Sequence, residues 1–160
     1  MEITFLGHIP SKKNSRRNFR GVSLPSKAHE TWKAIELPTL QGLKGFDGPV
    51  RIDYAFYPGS LRMFDVSNAI ESINDLLVEA CILVDDNWLY LRESTFAVPA
   101  VDKGNERCVV SIHALEPTHI DLALAVLRDK SEVKKIAQRW GCTQKAVRET
   151  YEDLARGAAA

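Results

Sequence analysis

Cysteine is scarce: Cys81, Cys108 and Cys142 stand far apart, with no CxxC pair among them. That pattern excludes a disulfide framework and a cysteine zinc site, and it suits a reducing cytoplasm. Long apolar runs are missing too. None approaches the roughly 18 residues of a membrane-spanning helix, and the N-terminus has no charged-then-apolar signal region. A soluble cytoplasmic protein without a membrane partner is therefore expected. No internal repeat, phosphate-binding glycine loop or Ser-His-Asp arrangement supports another chemistry. Charge of one sign is not in excess either, since 21 basic residues balance 21 acidic ones. The whole-molecule balance thus gives no reason to expect nucleic acid.

The distribution of charge says more. Between His8 and Lys33 lie Lys12, Lys13, Arg16, Arg17, Arg20, Lys27 and Lys33, against the single acid Glu30. Five of these cations, with Phe19 among them, fall within the nine residues 12–20. Such a basic loop suits phosphate contacts, although it also reads as a solvated surface segment.

Acids gather later, around MFDVSNAIESINDLLVEACILVDDNW, residues 63–88. Val66, Ala69, Ile70, Ile73, Leu76, Leu77 and Ala80 recur at spacings of three and four, which predicts an amphipathic helix. Asp65 and Ser67 fall at its start, where short oxygen-bearing side chains cap free N–H groups. Asn68, Glu71 and Asp75 occupy its polar face. A short apolar turn, Cys81–Val84, then leads to Asp85 and Asp86. If that turn returns the chain beside Asp65, three carboxylates meet, and such a set suits a hard divalent cation. Each aspartate also has a plain structural alternative, Asp65 as a cap and Asp85-Asp86 as a turn before a strand.

Asp65-Val-Ser-Asn68, Glu71, Asp75-Leu-Leu77 and Val84-Asp85-Asp86 together resemble the core of the RusA-type Holliday-junction resolvases. That family's pattern is D-x-D-N-x-x-K, then D-A-L, then a hydrophobic residue and D-D, with the same twenty-residue step. Pro10-Ser-Lys-Lys-Asn14 resembles the family's opening P-x-x-x-N loop. The likeness covers about residues 1–115. It implies a Mg²⁺-dependent (or Mn²⁺-dependent) endonuclease that resolves four-way junctions by paired nicks. It also implies a homodimer and a bacterial, phage or prophage recombination setting. On this resemblance Asp65, Asp85 and Asp86 are the metal ligands and, with Glu71, the catalytic set. Lys12, Lys13, Asn14, Arg16, Arg17, Arg20, Lys27 and Asn68 are the residues that contact DNA. Two positions depart from the pattern: Ser67 stands for an aspartate and Glu71 for a lysine. Glu71 is expected to return the missing negative charge from one helical turn away. The alternative is a weakened or inactive RusA-like dimer that only binds DNA.

The fold expected is mixed α/β (α+β). Residues 2–9, 50–57, 88–98 and 107–115 read as strands, with a helix from Ser26 to about Ile35 before the central one. His113 falls on the solvent side of the last strand. Pro117 marks a boundary, so that 1–115 forms a RusA-like nuclease domain and 117–160 a helical tail. In the tail, helices run to Arg128, from a Ser131 cap to Gly141, and onward from a Thr143 cap, with Trp140, Tyr151 and Leu154 turned inward. KKIAQRWGCTQKAVRETYEDL resembles the prokaryotic helix-turn-helix, with Gln144, Lys145 and Arg148 opening the recognition helix. A small three-helix packing or dimerisation module is the other reading of this tail.

Overall fold

A computed structural model describes residues 1–13, 17–19, 21–24 and 26–157. The chain is mixed α+β and divides into two compact units, 1–115 and 116–160.

In the first unit a four-stranded sheet has the order β1-β6-β4-β5. Strand β1 (Glu2–Leu6) pairs antiparallel with β6 (Arg107–Ala114), and β6 pairs antiparallel with β4 (Val50–Tyr57). Strand β5 (Leu91–Ala97) runs parallel to β4 at the edge. Alternation in β4 and β6 is as expected: Val50, Ile52, Tyr54 and Phe56 are buried, as are Cys108, Val110 and Ile112. Strand β1 ends at Leu6, short of the expected Ile9. Gly7 takes φ +76, a left-handed conformation that breaks the ladder, while its N–H still reaches the Glu106 carbonyl at 2.6 Å. Strand β5 starts at Leu91 rather than Trp88, because Asn87 holds a turn. Its side-chain oxygen accepts from Leu89 N–H, and its carbonyl accepts from Tyr90 and Leu91.

Part of the expected basic loop is instead a small antiparallel hairpin, β2 (Arg17–Phe19) with β3 (Val22–Leu24). Asn14, Arg16 and Arg20 lie outside the described residues. Helix α1 (Lys27–Leu40) begins as expected, with the Ser26 side chain accepting from His29 N–H at 3.1 Å. It continues past Ile35 and through Pro38 to Leu40. A proline in the last turn forfeits one backbone hydrogen bond, and here the burial of Leu40 and the packing of Leu37 outweigh that loss.

Helix α2 (Val66–Glu79) makes the crossover between the parallel strands β4 and β5. Its buried positions Ala69, Ile73, Leu76 and Leu77 join Phe5, Ile52, Tyr54 and Ile112 in one core. Burying one such aliphatic side chain stabilises by about 1.5–3 kcal/mol, so this stripe fixes which way the polar face of α2 points. After α2 the chain turns through Cys81, at φ 57, and bonds back on residues 45–46. Phe46 N–H donates to the Ile82 carbonyl at 2.9 Å, and Gly45 lies so close that a Cβ there would stand 2.2 Å from the Cys81 carbonyl oxygen. That clamp sets the path of the chain into Asp85 and Asp86.

The second unit holds α3 (His119–Arg128), α4 (Lys130–Trp140) and α5 (Gln144–Ala155). Thr118 and Asp121 form a reciprocal capping box on α3. The cap of α4 is Asp129, not Ser131: its carboxylate accepts from both Ser131 and Glu132 N–H, a stronger interaction than a hydroxyl offers. Gly141 ends α4 and Thr143 caps α5, both as expected. Val133, Ala137 and Val147 form the small core. Trp140 and Leu154 are exposed rather than inward, and Trp140 stacks on Tyr151 with centroids 6.2 Å apart. Each unit owning its own core leads to a prediction. Deleting residues 117–160 is expected to leave a folded first unit whose thermal midpoint moves by less than about 4 °C, under about 1 kcal/mol. A circular-dichroism melt checks this, and an insoluble or non-cooperative product refutes it.

Candidate metal and nucleic-acid site

The polar face of α2 carries the acids at two stations. At its N-terminus Asp65 is the cap: Asn68 N–H donates to one carboxylate oxygen at 3.2 Å and Asn68 Nδ2 to the other at 2.7 Å. A groove of about 700 Å³ opens beside Asp65, bordered by Arg62, Met63, Pro10, Ser11 and Ser26. Ten residues further along, about 15 Å of helix axis at 1.5 Å per residue, Asp75 faces the segment that carries Asp85 and Asp86.

Asp86 senses this second station. Its carboxyl is held above the ordinary carboxylate range by partial burial, by a hydrogen bond with Asp85, and by the negative charges of Asp75 and Asp85. Burial is the largest of these causes, although the residue as a whole stays exposed, and the like charges of Asp75 and Asp85 add to it. Asp85 is steadied by Asn87, whose Nδ2 donates to it at 2.7 Å. The acids near Asp86 are thus Asp75 and Asp85. Among the described residues no three metal-binding side chains, Asp65, Asp85 and Asp86 included, are grouped to hold an ion.

Cations reach the same face from residues 10–13. Lys12 Nζ pairs with Asp75 at 2.6 Å and Lys13 Nζ with Glu71 at 2.8 Å. The segment is pinned there by Ser72, wholly buried on α2. Its hydroxyl donates to the Pro10 and Asn68 carbonyls, at 3.0 and 3.1 Å, and accepts from Lys12 N–H at 3.2 Å. Glu71 therefore spends its charge on Lys13 rather than on the aspartates. Ser72 had no sequence signal beyond being a polar residue between two core positions. Tyr54 and Asn74 are a further pair the sequence hides: the Tyr54 hydroxyl donates to Asn74 Oδ1 inside the core. Burial foremost, and the Asp86 charge among the lesser causes, push the Tyr54 hydroxyl well above its usual range.

Of the other residues assigned to DNA, Lys27 is exposed at the start of α1, and Arg17 has its backbone in β2. On α5, Gln144 and Lys145 are exposed, Lys145 lying 3.6 Å from Glu149. Arg148 is part-buried and donates to the Leu127 carbonyl at 3.2 Å, so it ties α5 to the end of α3. His113 is on the outer face of the sheet as expected, 3.3 Å from Asp53. No helix is long and apolar enough to cross a membrane among the described residues. Comparison with protein-family models finds no match to the chain, and comparison with curated proteins finds none either.

Proposed function

We propose that the chain is a divalent-cation-dependent, structure-selective endodeoxyribonuclease of the Holliday-junction resolvase type, acting on branched DNA as a homodimer. The observation that carries this reading is that the charges of Asp75 and Asp85 both act on Asp86, with Lys12 paired to Asp75. The resemblance of the 65–86 pattern to the RusA type adds to it. Mg²⁺ is commonly held by one or two carboxylates, with waters and substrate phosphates filling the remaining positions. The Asp85-Asp86 pair fits such an ion, because the repulsion between its carboxylates is relieved when a cation binds. When bound, the ion supplies charge for the developing phosphorane oxygens and lowers the pKa of water. Asp85 and Asp86 would hold it, with Asp85 steadied by the hydrogen bond from Asn87. Asp75 keeps Lys12 within reach of a phosphate. Residues 12–20 grip the backbone. A two-fold dimer provides the paired nicks that a four-way junction requires.

A second reading is a weakened, DNA-binding relative. Ser67 in place of an aspartate and Glu71 paired to Lys13 favour it. In that case α5, with Gln144 and Lys145 forward, does the reading of DNA. A synthetic four-way junction in Mg²⁺ or Mn²⁺ separates the two: nicking supports the nuclease, and binding without nicking in either metal overturns it. The basic arm has its own consequence. Arg16→Ala with Arg17→Ala is expected to weaken all DNA binding and to flatten the salt dependence by about 0.9 in log–log slope for each phosphate that is no longer neutralised. An unchanged slope in a binding titration means that the arm is only solvated.

A further inference from the structure

Trp88 stands two residues after Asp86, and it is 63% exposed. The other two tryptophans are placed differently: Trp32 is buried in the core, and Trp140 stacks on Tyr151. Leaving an indole in water forgoes the large gain that its burial would bring. Nor does Trp88 sit on a loose loop. Asn87 holds the turn around it: its Nδ2 donates to Asp85 at 2.7 Å, and its Oδ1 accepts from Leu89 N–H at 2.9 Å. The Asn87 carbonyl accepts from Tyr90 and Leu91 N–H, and the Tyr90 carbonyl accepts from Val50 N–H at 2.7 Å, which fastens the turn to β4. An exposed ring thus has a firm seat on the turn that carries Asp85 and Asp86.

Arg92 braces that ring. Its Cζ lies over the indole, 5.4 Å from the ring centre, and its Nε donates to the Leu89 carbonyl at 3.2 Å. A guanidinium stacked on an indole is attracted by the negative face of the ring and so orients it. With a cation over one face and so much of the residue exposed, the rest of the ring remains for a ligand. The surroundings narrow what that ligand is. A phosphate against the ring is disfavoured by the negative π face and by the two carboxylates of the same turn. An aliphatic chain would gain little from an indole that a leucine could not supply. A flat aromatic ring stacks on it well, and the Arg92 charge suits the anionic backbone that such a ring carries in a nucleic acid.

We propose that Trp88 is a specificity-determining residue, a platform on which an unstacked base of branched DNA lies. This rests on the reading of the chain as a structure-selective nuclease, and it says what the selection reads. A base inside a duplex has both faces covered by its neighbours, so a platform outside the stack has nothing to bind there. At a branch point or in a single strand a base face is open, or is opened at low cost. Stacking on Trp88 therefore stabilises bound branched DNA and leaves bound duplex unaffected. It does so two residues from Asp86, so selection and metal chemistry share one turn.

The test reads binding in EDTA, where nothing is cut, so this proposal and the nuclease reading fail separately. Full-length protein is titrated into fluorescein-labelled four-way junction, duplex of one arm's sequence, and oligothymidylate, with anisotropy as the readout. Trp88→Ala is expected to weaken binding of the junction and of oligothymidylate about fivefold to a hundredfold, the worth of one stacked base. Duplex binding is expected to change by less than about twofold, since no base face is open there. Trp88→Phe, which keeps a π face, is expected to recover most of the loss, whereas Trp88→Leu, which keeps only apolar bulk, is not. Melting curves check that each variant is folded, and if Trp88→Ala is not, the Phe and Leu variants carry the same comparison. An equal loss on all three DNAs, a Leu variant that binds like Phe, or unchanged junction affinity in folded Trp88→Ala overturns the proposal. So does a parent protein that binds none of the DNAs. A dimeric parent that becomes monomeric in Trp88→Ala by sedimentation overturns it too, because the ring then belongs to a protein interface.

Discussion

Asp86→Asn is expected to lower junction nicking by more than about a hundredfold while binding to the junction is kept or tightened. Groups that merely orient metal ligands are worth about tenfold to a hundredfold, and a ligand itself is worth more. Binding is spared because removing a carboxylate lowers repulsion of phosphates. The same variant has a second, opposite signature in protein without metal. Asp86 holds its proton more tightly in the folded state than its ordinary value of 3.8 implies. The folded state therefore binds the proton better than the unfolded one, and stability falls as pH rises from that value through the raised folded pKa. Asparagine removes the charge, so at neutral pH Asp86→Asn melts higher than the parent, and the difference closes as pH falls towards the ordinary carboxylate range. Adding Mg²⁺ reverses the order. The parent gains about 1.4 kcal/mol for each tenfold of free Mg²⁺ above its dissociation constant, and the variant gains little. Parental nicking in the variant, or melting curves that ignore both pH and Mg²⁺, count against an Asp86 metal site.

The second large effect concerns Ser67 and Glu71. Ser67 is exposed in the first turn of α2, and Glu71 lies one turn on, its carboxylate 2.8 Å from Lys13 Nζ. That contact engages Glu71 with Lys13 and so favours the reading in which Glu71 does not compensate for the missing aspartate. Ser67→Asp adds a carboxylate two residues from Asp65 and, with Glu71→Lys, restores both residues of the RusA-type pattern, so the double variant is expected to raise Mg²⁺-dependent nicking about tenfold to a hundredfold. Glu71→Lys alone sets an ammonium against Lys13 and frees that side chain without adding a ligand, so it is expected to leave nicking near the parental level. Stability is not the confounder. An ion pair as exposed as this one, with side chains 60% and 35% accessible, contributes about 0–1 kcal/mol. Single-turnover rates on a fixed junction settle the sign. A fall in the double variant means that Glu71 does serve the metal.

Several elements could be read directly from the chain because their causes are local. The three-and-four spacing of apolar residues after Asp65 defines α2, and the Asp65 carboxylate caps it without help from elsewhere. Period-two alternation defines β4 and the buried face of β6. Gly141 and Thr143 mark the turn between α4 and α5 through backbone conformation and capping alone. Other features depend on which residues meet after the chain closes. That Lys12 finds Asp75, that Lys13 takes Glu71, and that Ser72 pins residues 10–12 are contacts across about sixty positions. The effect of Asp75 on Asp86 depends on the path of the turn at Cys81, which Gly45 approaches closely. Periodicity and capping are properties of neighbours in sequence, so composition and order reveal them. The pairing of charges and the shape of a cavity are set by burial of the apolar faces, and only the closed structure determines which polar groups that burial brings together.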